Sequence, residues 1–512
     1  MGTLSYITLF GLTALFTAFY LRRKANNPKK LPLPPGPPPL PLIGNLFDMP
    51  VAGTAPWLTF SAMAKTYGDI VHLKVLDKHT IIVSSLETAS DLFDQRYAIY
   101  SDRFPSVMVS ELIDMHWSVG RMNYGDKWRR LRKVFHHYYS ASAIRQYDGI
   151  QFENVRAFLK RLRDSPEKFL IHSRFVFAAL IMNVTYGVHI EDEHNKHLVE
   201  AEAWQHGFNQ AIQPGHFWVD YLPILKYVPA WFPGASFKRK ALRWRQHMYN
   251  ARDGPFNEAK AALAAGMPVP SIVTDALENM RGSLDEAEQE LRTRHSLGTA
   301  FGAGVDTSAP TLQIFFYLML TNPDVQKKAQ AELERVIGSD RLPSLDDRPN
   351  LPYVEAVLKE LLRWHPVIPL ALPHATATSD EYRGYHIPKD AIVLGNAWHI
   401  LHDPVRYPCP DEFRPERFLT PDGALNSDVT DPSVVCFGFG RRICPGRYLS
   451  LNSLFTAIAC VLHTFSITPS TGERGQPIKV ELRMQPGMIC HPESFSCSIQ
   501  VRSSSAESLI TG

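Results

Sequence analysis

The stretch FGFGRRICPG, Phe437–Gly446, constrains this 512-residue chain more than any other part of it. Three glycines, two arginines and one cysteine share ten residues, directly before a helix-like segment, 445–465, with proline in its first turn. Unpaired N–H groups and the helix dipole at such a start stabilise an anion, so a thiol at Cys444 tends towards thiolate. Gly438 and Gly440 let the loop turn sharply and present backbone N–H groups to sulfur. Gly446 removes a side chain where a flat cofactor could approach. Arg442 adds a fixed cation two residues from the cysteine, suited to a carboxylate. A thiolate, a flat space and a carboxylate partner together describe a haem with cysteine as axial ligand. The plain alternative is a buried structural cysteine beside a glycine turn, and the matched context of ten residues argues against it.

The rest of the chain can enclose such a group. Apolar residues make up 45% and charged residues 21%, which permits a large core. Net charge is only +3 and no Lys/Arg block resembles a nucleic-acid tail, so no nucleic-acid partner is expected. The other cysteines, at 409, 436, 460, 490 and 497, form no C-x-x-C pair, which speaks against a zinc ribbon, and a disulfide framework would be odd in so long a chain. Met1–Leu21 carries no charged side chain, and Arg22, Arg23, Lys24, Lys29 and Lys30 follow. Some 21 helical residues span about 30 Å, enough for a bilayer core. The charge after the run predicts an uncleaved anchor with the body of the chain in the cytosol.

Three regions result: a transmembrane anchor over 1–21, a basic and Pro-rich hinge over 22–45, and a catalytic domain over 46–512. The hinge, containing LPLPPGPPPLPLIGN, reads as a stiff spacer. Beyond it, β-like runs at 69–76 and 79–85 precede long helical patterns at 284–321, 352–366 and 445–465. The expected fold is one mainly α domain with a small β part.

Phe437, Gly440, Arg442, Cys444 and Gly446 match F-x-x-G-x-R-x-C-x-G, the haem-binding signature of the cytochrome P450 superfamily, and the chain resembles that family over nearly its whole length. Glu360 and Arg363 in ELLR look like its E-x-x-R pair, and Arg417 in PERF resembles the third member of that structural triad. By resemblance Trp128 and Arg132, one helical turn apart in WRRLR, join His374 and Arg442 at the haem propionates. AGVDT, 303–307, resembles the oxygen-activation motif, with Asp306 and Thr307 delivering protons. The implied fold holds haem b between two long helices, with Cys444 on the iron. The implied reaction inserts one oxygen atom from O2 into a lipophilic small molecule. The chain shows no NADPH, flavin or iron–sulfur motif, so electrons are expected from a membrane-bound NADPH–cytochrome P450 reductase at the endoplasmic reticulum.

The N-terminus, 217–234 and 382–398 look most like fungal, basidiomycete-type monooxygenases of secondary metabolism, a branch similar to O-methylsterigmatocystin oxidoreductase and tryptamine 4-monooxygenase. By family layout the substrate pocket comprises Phe104, Met115, Phe301, Ala303, Val367, Ile368, Leu370 and Met488. Their apolar character favours a terpenoid or other lipophilic skeleton. A haem-thiolate isomerase or dehydratase and a non-catalytic membrane haem protein are the competing readings, and the retained Asp306 and Thr307 favour oxygen insertion.

Other patterns carry less. HNKH, 194–197, and HILH, 399–402, have zinc-like spacing without a convincing acidic or cysteine companion, and read as ordinary histidines. The sequon at Asn183 would not meet the glycosylation machinery in a cytosolic domain. Pro310 lacks the N–H that would bond the Asp306 carbonyl, so a kink is expected beside the oxygen motif.

Overall fold

The computed structural model describes residues 27–51, 53–213, 215–472, 476–485 and 487–512. The expected anchor, 1–21, lies outside the described residues.

Both early strands form. β1 (Ile70–Val75) and β2 (Lys78–Val83) make an antiparallel hairpin that turns at Leu76, in the left-handed region at φ 54°. The hairpin belongs to a five-stranded sheet with β3 (Asp102–Arg103), β4 (His374–Ala375) and β7 (Ile392–Gly395), in the order β1-β2-β7-β4-β3. Only β2 and β7 run parallel. Alternate residues serve opposite faces: Ile81, Val83 and Val393 enter one cluster, while Ile82, Ile392 and Leu394 enter another. Burial on both sides explains the unbroken apolar runs. Two small hairpins complete the β part, β5 (Asp380–Tyr382) with β6 (Tyr385–Ile387), and β8 (Phe465–Thr468) with β9 (Ser498–Val501).

The Pro-rich segment, expected as a spacer, lies along the sheet. His72 N–H donates to the Pro35 carbonyl and His386 N–H to the Pro32 carbonyl, both at 2.8 Å. Gly36 permits the approach, since a Cβ there would come within 2.1 Å of the His72 oxygen. Prolines suit this place, because a sheet-edge segment can accept hydrogen bonds without donating them.

The helices that frame the interior are α1 (Asp126–Tyr139), α2 (Phe169–Tyr186), α3 (Lys196–Ala211), α4 (Ser236–Ala264), α5 (Glu286–Thr307), α6 (Ala309–Thr321), α7 (Pro352–Trp364) and α8 (Arg447–Thr464). Among the described residues, Pro166–Tyr186 is long and apolar enough to cross a membrane, but 83% of its most apolar stretch is buried in the protein, as in a core helix. Asn183, in α2, is buried with it. One core gathers α1 to α5 around Trp117, Trp204, Trp244 and Phe301. A second gathers α6, α7 and α8 around Phe315, Leu361 and Phe455. The single long helix expected over 284–321 is two, parted at Ser308. Pro310 stands in the first turn of α6, where its missing N–H costs least.

Candidate active site

A cavity of about 310 Å³ opens between α5 and the loop before α8. Phe437, Gly438, Phe439, Cys444 and Gly446 line it on the loop side, and Ala300, Ala303, Gly304 and Thr307 on the helix side. The loop takes its shape from two left-handed glycines, Gly438 at φ 80° and Gly440 at φ 57°. Gly440 is also a close approach, because a Cβ there would lie 2.1 Å from the Phe93 carbonyl oxygen. At Gly446 a Cβ would meet nothing within 4 Å, so the space beside the cysteine is open, as a flat cofactor requires.

Cys444 sits just ahead of α8, with its N–H donating to the Phe437 carbonyl at 2.9 Å. Burial pushes its thiol up; the Gly446 and Arg447 N–H groups and the Arg132 and Arg447 guanidinium groups oppose this without overcoming it. The helix start alone therefore does not make a thiolate, contrary to the expectation from sequence, and a bound metal cation would have to complete the shift. Cys436 also lines the cavity, and burial raises its thiol well above the ordinary range.

Cationic groups crowd one side. Arg442 donates to the carbonyls of Ser101 (2.8 Å), Val119 (3.2 Å) and Met122 (2.6 Å) and lies over the Trp128 ring. Burial lowers its pKa to about 9. Arg132 donates to the Ile443 carbonyl at 2.6 Å, and Trp128 Nε1 to Val119 at 3.2 Å. His374 gives its Nδ1 proton to the Tyr100 carbonyl at 2.7 Å, which leaves Nε2 as the other ring nitrogen. Sequence reasoning missed two further arginines on this wall, Arg103 and Arg121. Arg103 Nε and Arg121 Nε and Nη1 are buried without a hydrogen-bond partner among the described residues. Arg103 Nη1 donates to the Leu372 (2.8 Å) and Pro373 (3.0 Å) carbonyls and Arg121 Nη2 to Phe104 (2.6 Å), so each group is only partly paired, and leaving its other N–H groups buried without an acceptor is costly. The wall fits a ligand that brings carboxylates, as haem does.

The three residues expected to form a triad lie together in the interior. Arg363 grips Glu360 through Nε (2.7 Å) and Nη2 (2.9 Å), and both side chains are fully buried. Arg417 Nε adds a bond to Glu360 at 3.0 Å, and the Arg414 N–H another at 2.8 Å. α7, which carries the pair, packs against the Ser433–Cys436 turn that leads into the cysteine loop.

Thr307 lines the cavity and its hydroxyl donates to the Ala303 carbonyl at 2.9 Å. Asp306 is not among the lining residues, since consecutive side chains on a helix diverge by about 100°. Its carboxylate is buried, 2.9 Å from His491 Nε2 and 3.4 Å from the Arg174 guanidinium. Burial pushes that carboxyl up, but His491 and Arg174 outweigh it and hold the group below its ordinary value.

Of the expected pocket residues, Met115, Ala303, Val367, Ile368 and Met488 line the cavity, and Phe104, Phe301 and Leu370 do not. Phe301 is one residue out of phase with the 300-303-304-307 face and packs edge-on against Tyr186 at 5.7 Å. Phe104 and Leu370 pack on the sheet cluster around Val71 and Ile392. Sequence reasoning missed Trp204, Gln205 and Phe208 of α3, and Ile489. The zinc-like histidine pairs make ordinary contacts: His197 bonds Glu258 at 2.8 Å, and His402 stacks on Trp398. No group of three metal-binding side chains occurs among the described residues.

Residues 34–497 match the family described as Cytochrome P450. The chain is a cytochrome P450. It is 44% identical over 487 residues to cytochrome P450 monooxygenase COX2 of Coprinopsis cinerea, covering 95% of this chain and 92% of that protein. Cytochrome P450 monooxygenase COX1 of the same fungus is 38% identical over 506 residues, 97% of each chain. Tryptamine 4-monooxygenase of Psilocybe cyanescens is 36% identical over 495 residues, 95% of this chain and 96% of that one. The P450 is therefore a fungal-type haem monooxygenase, and the cofactor of its family is haem b held by a cysteine thiolate.

Proposed function

We propose that this P450 inserts one oxygen atom from O2 into a lipophilic secondary-metabolite intermediate of terpenoid type, with electrons from NADPH through a membrane-bound cytochrome P450 reductase. The observation that carries the site assignment is the shared cavity, which Cys444, Thr307 and the partly unpaired guanidinium groups of Arg103 and Arg121 all line. Cys444 would hold the iron, and Arg132, Arg442, His374 and Trp128 would hold the propionates, joined by Arg103 and Arg121. Bound haem supplies the electron-transfer and O2 chemistry. The chain's own part is to orient, to exclude water and to move protons. Glu360, Arg363 and Arg417 brace the loop from behind. The Thr307 hydroxyl faces the cavity and delivers the proton there. Asp306 resupplies Thr307 from the His491 and Arg174 side, once its carboxylate turns about the helix.

Lipophilic substrates are favoured because no Asp or Glu lines the cavity among the described residues. An ammonium group such as that of tryptamine would find no counter-charge there. Contact with the endoplasmic reticulum membrane has support beyond the N-terminal run. Trp218, Ile224, Tyr227 and Trp231 are 59%, 71%, 72% and 79% exposed within one short segment, and such side chains suit a membrane interface. The test is reconstitution with reductase, NADPH and 18O2 on a panel of sesquiterpenes. Mass spectrometry should find one 18O atom per product and no product without NADPH. Product formed without NADPH would establish the isomerase or dehydratase reading instead.

A further inference from the structure

We propose that Gln205 anchors the substrate, so that the preferred substrate is an apolar skeleton already bearing one uncharged hydrogen-bonding oxygen, a hydroxyl or a carbonyl, away from the carbon to be oxidised. The inference rests on the reading of this cavity as the site of oxygen insertion.

Helix α3 sends Trp204, Gln205 and Phe208 to the cavity. Gln205 is 7% exposed, and its amide makes no hydrogen bond to protein among the described residues. An amide offers two donors and an acceptor, and Gln205 leaves them open to the cavity instead of pairing them with protein, where a leucine of similar size would offer none. The neighbouring polar groups are committed elsewhere. Thr299 donates to the His295 carbonyl at 2.8 Å, and Thr307 to Ala303 at 2.9 Å. Asn209, one turn beyond Gln205, accepts from the N–H groups of Met488 (2.8 Å) and Ile489 (3.1 Å) and donates to the Ile489 carbonyl (3.3 Å). Of the lining hydroxyls and amides, only Thr311, on α6, shares with Gln205 the lack of a protein partner among the described residues.

The helix that carries the amide is held in place. Trp204 lies on α5 at Gly302, where a Cβ would come within 2.2 Å of the indole, and its Nε1 points to Met115 Sδ at 3.4 Å. That contact fixes the register of α3 across α5, and with it the position of Gln205 relative to Thr307. In a cavity that Phe208, Met488 and Ile489 also line, and with no carboxylate in the wall among the described residues, the amide matches a neutral oxygen that can both give and take a hydrogen bond. The reaction that supplies this substrate must then be one that installs oxygen, such as an earlier hydroxylation, an oxidation to a carbonyl, or capture of water.

The test titrates the full-length holoenzyme with pairs that share a skeleton, cedrene against cedrol and camphane against camphor, reading dissociation constants from the haem Soret band. The wild type should bind the oxygenated member of at least one pair about tenfold more tightly. Gln205→Leu should erase that preference by weakening the oxygenated member alone, with an unchanged ferrous–CO band as proof of folding. Gln205→Glu, an isostere that only accepts when ionised, should retain the alcohol and lose the ketone. Equal affinities within both pairs for the wild type, as when Gln205 merely holds a water, would overturn the proposal. So would a Gln205→Leu variant that weakens both members alike. Binding is read without turnover, so a preserved preference with no 18O incorporation would instead refute the oxygen-insertion reading.

Discussion

At Cys444 two effects oppose each other. Burial favours the neutral thiol, while the Gly446 and Arg447 N–H groups and two guanidinium groups favour the thiolate. Burial prevails in the bare chain, so iron must tip the balance. Cys436 has only its own backbone N–H against burial and no guanidinium group, and nearby Asp431 pushes its thiol further up. Cys444→Ser should therefore abolish the red-shifted ferrous–CO band, and Cys436→Ser should retain it; a difference spectrum of each variant decides, and the reverse result would identify Cys436 as the ligand. The signature cysteine was legible because the spacing within one loop fixes its geometry. Arg103, Arg121 and Gln205 were not, because each acquires its place only when distant elements close around the cavity. Phe301 was misplaced for a smaller reason: one residue of helical phase separates a pocket wall from a core.

At the scale of elements, the junctions carry the consequences. Pro310 cannot donate to the Asp306 carbonyl, and α5 and α6 part at Ser308. Pro310→Ala should fuse them and draw Thr307 from its position. Peroxide formed per NADPH consumed, with substrate bound, should rise in this variant, though less than in Thr307→Ala; a wild-type ratio in Pro310→Ala would make the break mere punctuation. The crossing of α3 and α5 is tighter. Gly302→Ala should weaken substrate binding by about tenfold or more, because backbone and indole cannot share that space. Trp204→Leu in the same chain should recover much of the loss, measurable as a double-mutant cycle. At the sheet, His72 Nε2 and His79 Nδ1 share one proton at 2.8 Å, and burial lowers both pKa values to about 4. The folded values lie below the unfolded ~6.5, so this contribution to stability is complete above that pH and declines as pH falls from 6.5 towards 4. Protease cleavage within 32–45 should accelerate over that window, and His79→Gln should flatten the profile. Strand and helix positions were largely readable from periodicity, but not the docking of the Pro-rich segment, since polyproline geometry by itself does not say what lies beside it.

For the whole molecule, the helical cores, the sheet clusters and the buried ion triad account for the packing of the interior, and the exposed apolar side chains of segment 218–232 lie outside it. Ile224, Tyr227 and Trp231 are largely exposed beside Lys226, a pattern in which rings and aliphatic groups enter the headgroup layer while a cation stays at its surface. If the N-terminal run were the only attachment, removing residues 1–21 would free the protein completely. If the surface segment also binds, the shortened chain should still sediment with vesicles, and Ile224→Asp with Trp231→Asp should release it. Each large side chain withdrawn from the interface is worth on the order of 1–2 kcal/mol, so the pair should change partitioning by more than tenfold. Flotation on phosphatidylcholine vesicles measures this, and an intact ferrous–CO band shows that the variant is folded. Equal flotation of the shortened chain with and without the two aspartates would remove the segment from the membrane. Orientation has its own readout in the full-length chain: protease added to sealed microsomes should digest the catalytic domain, and complete protection would place that domain in the lumen.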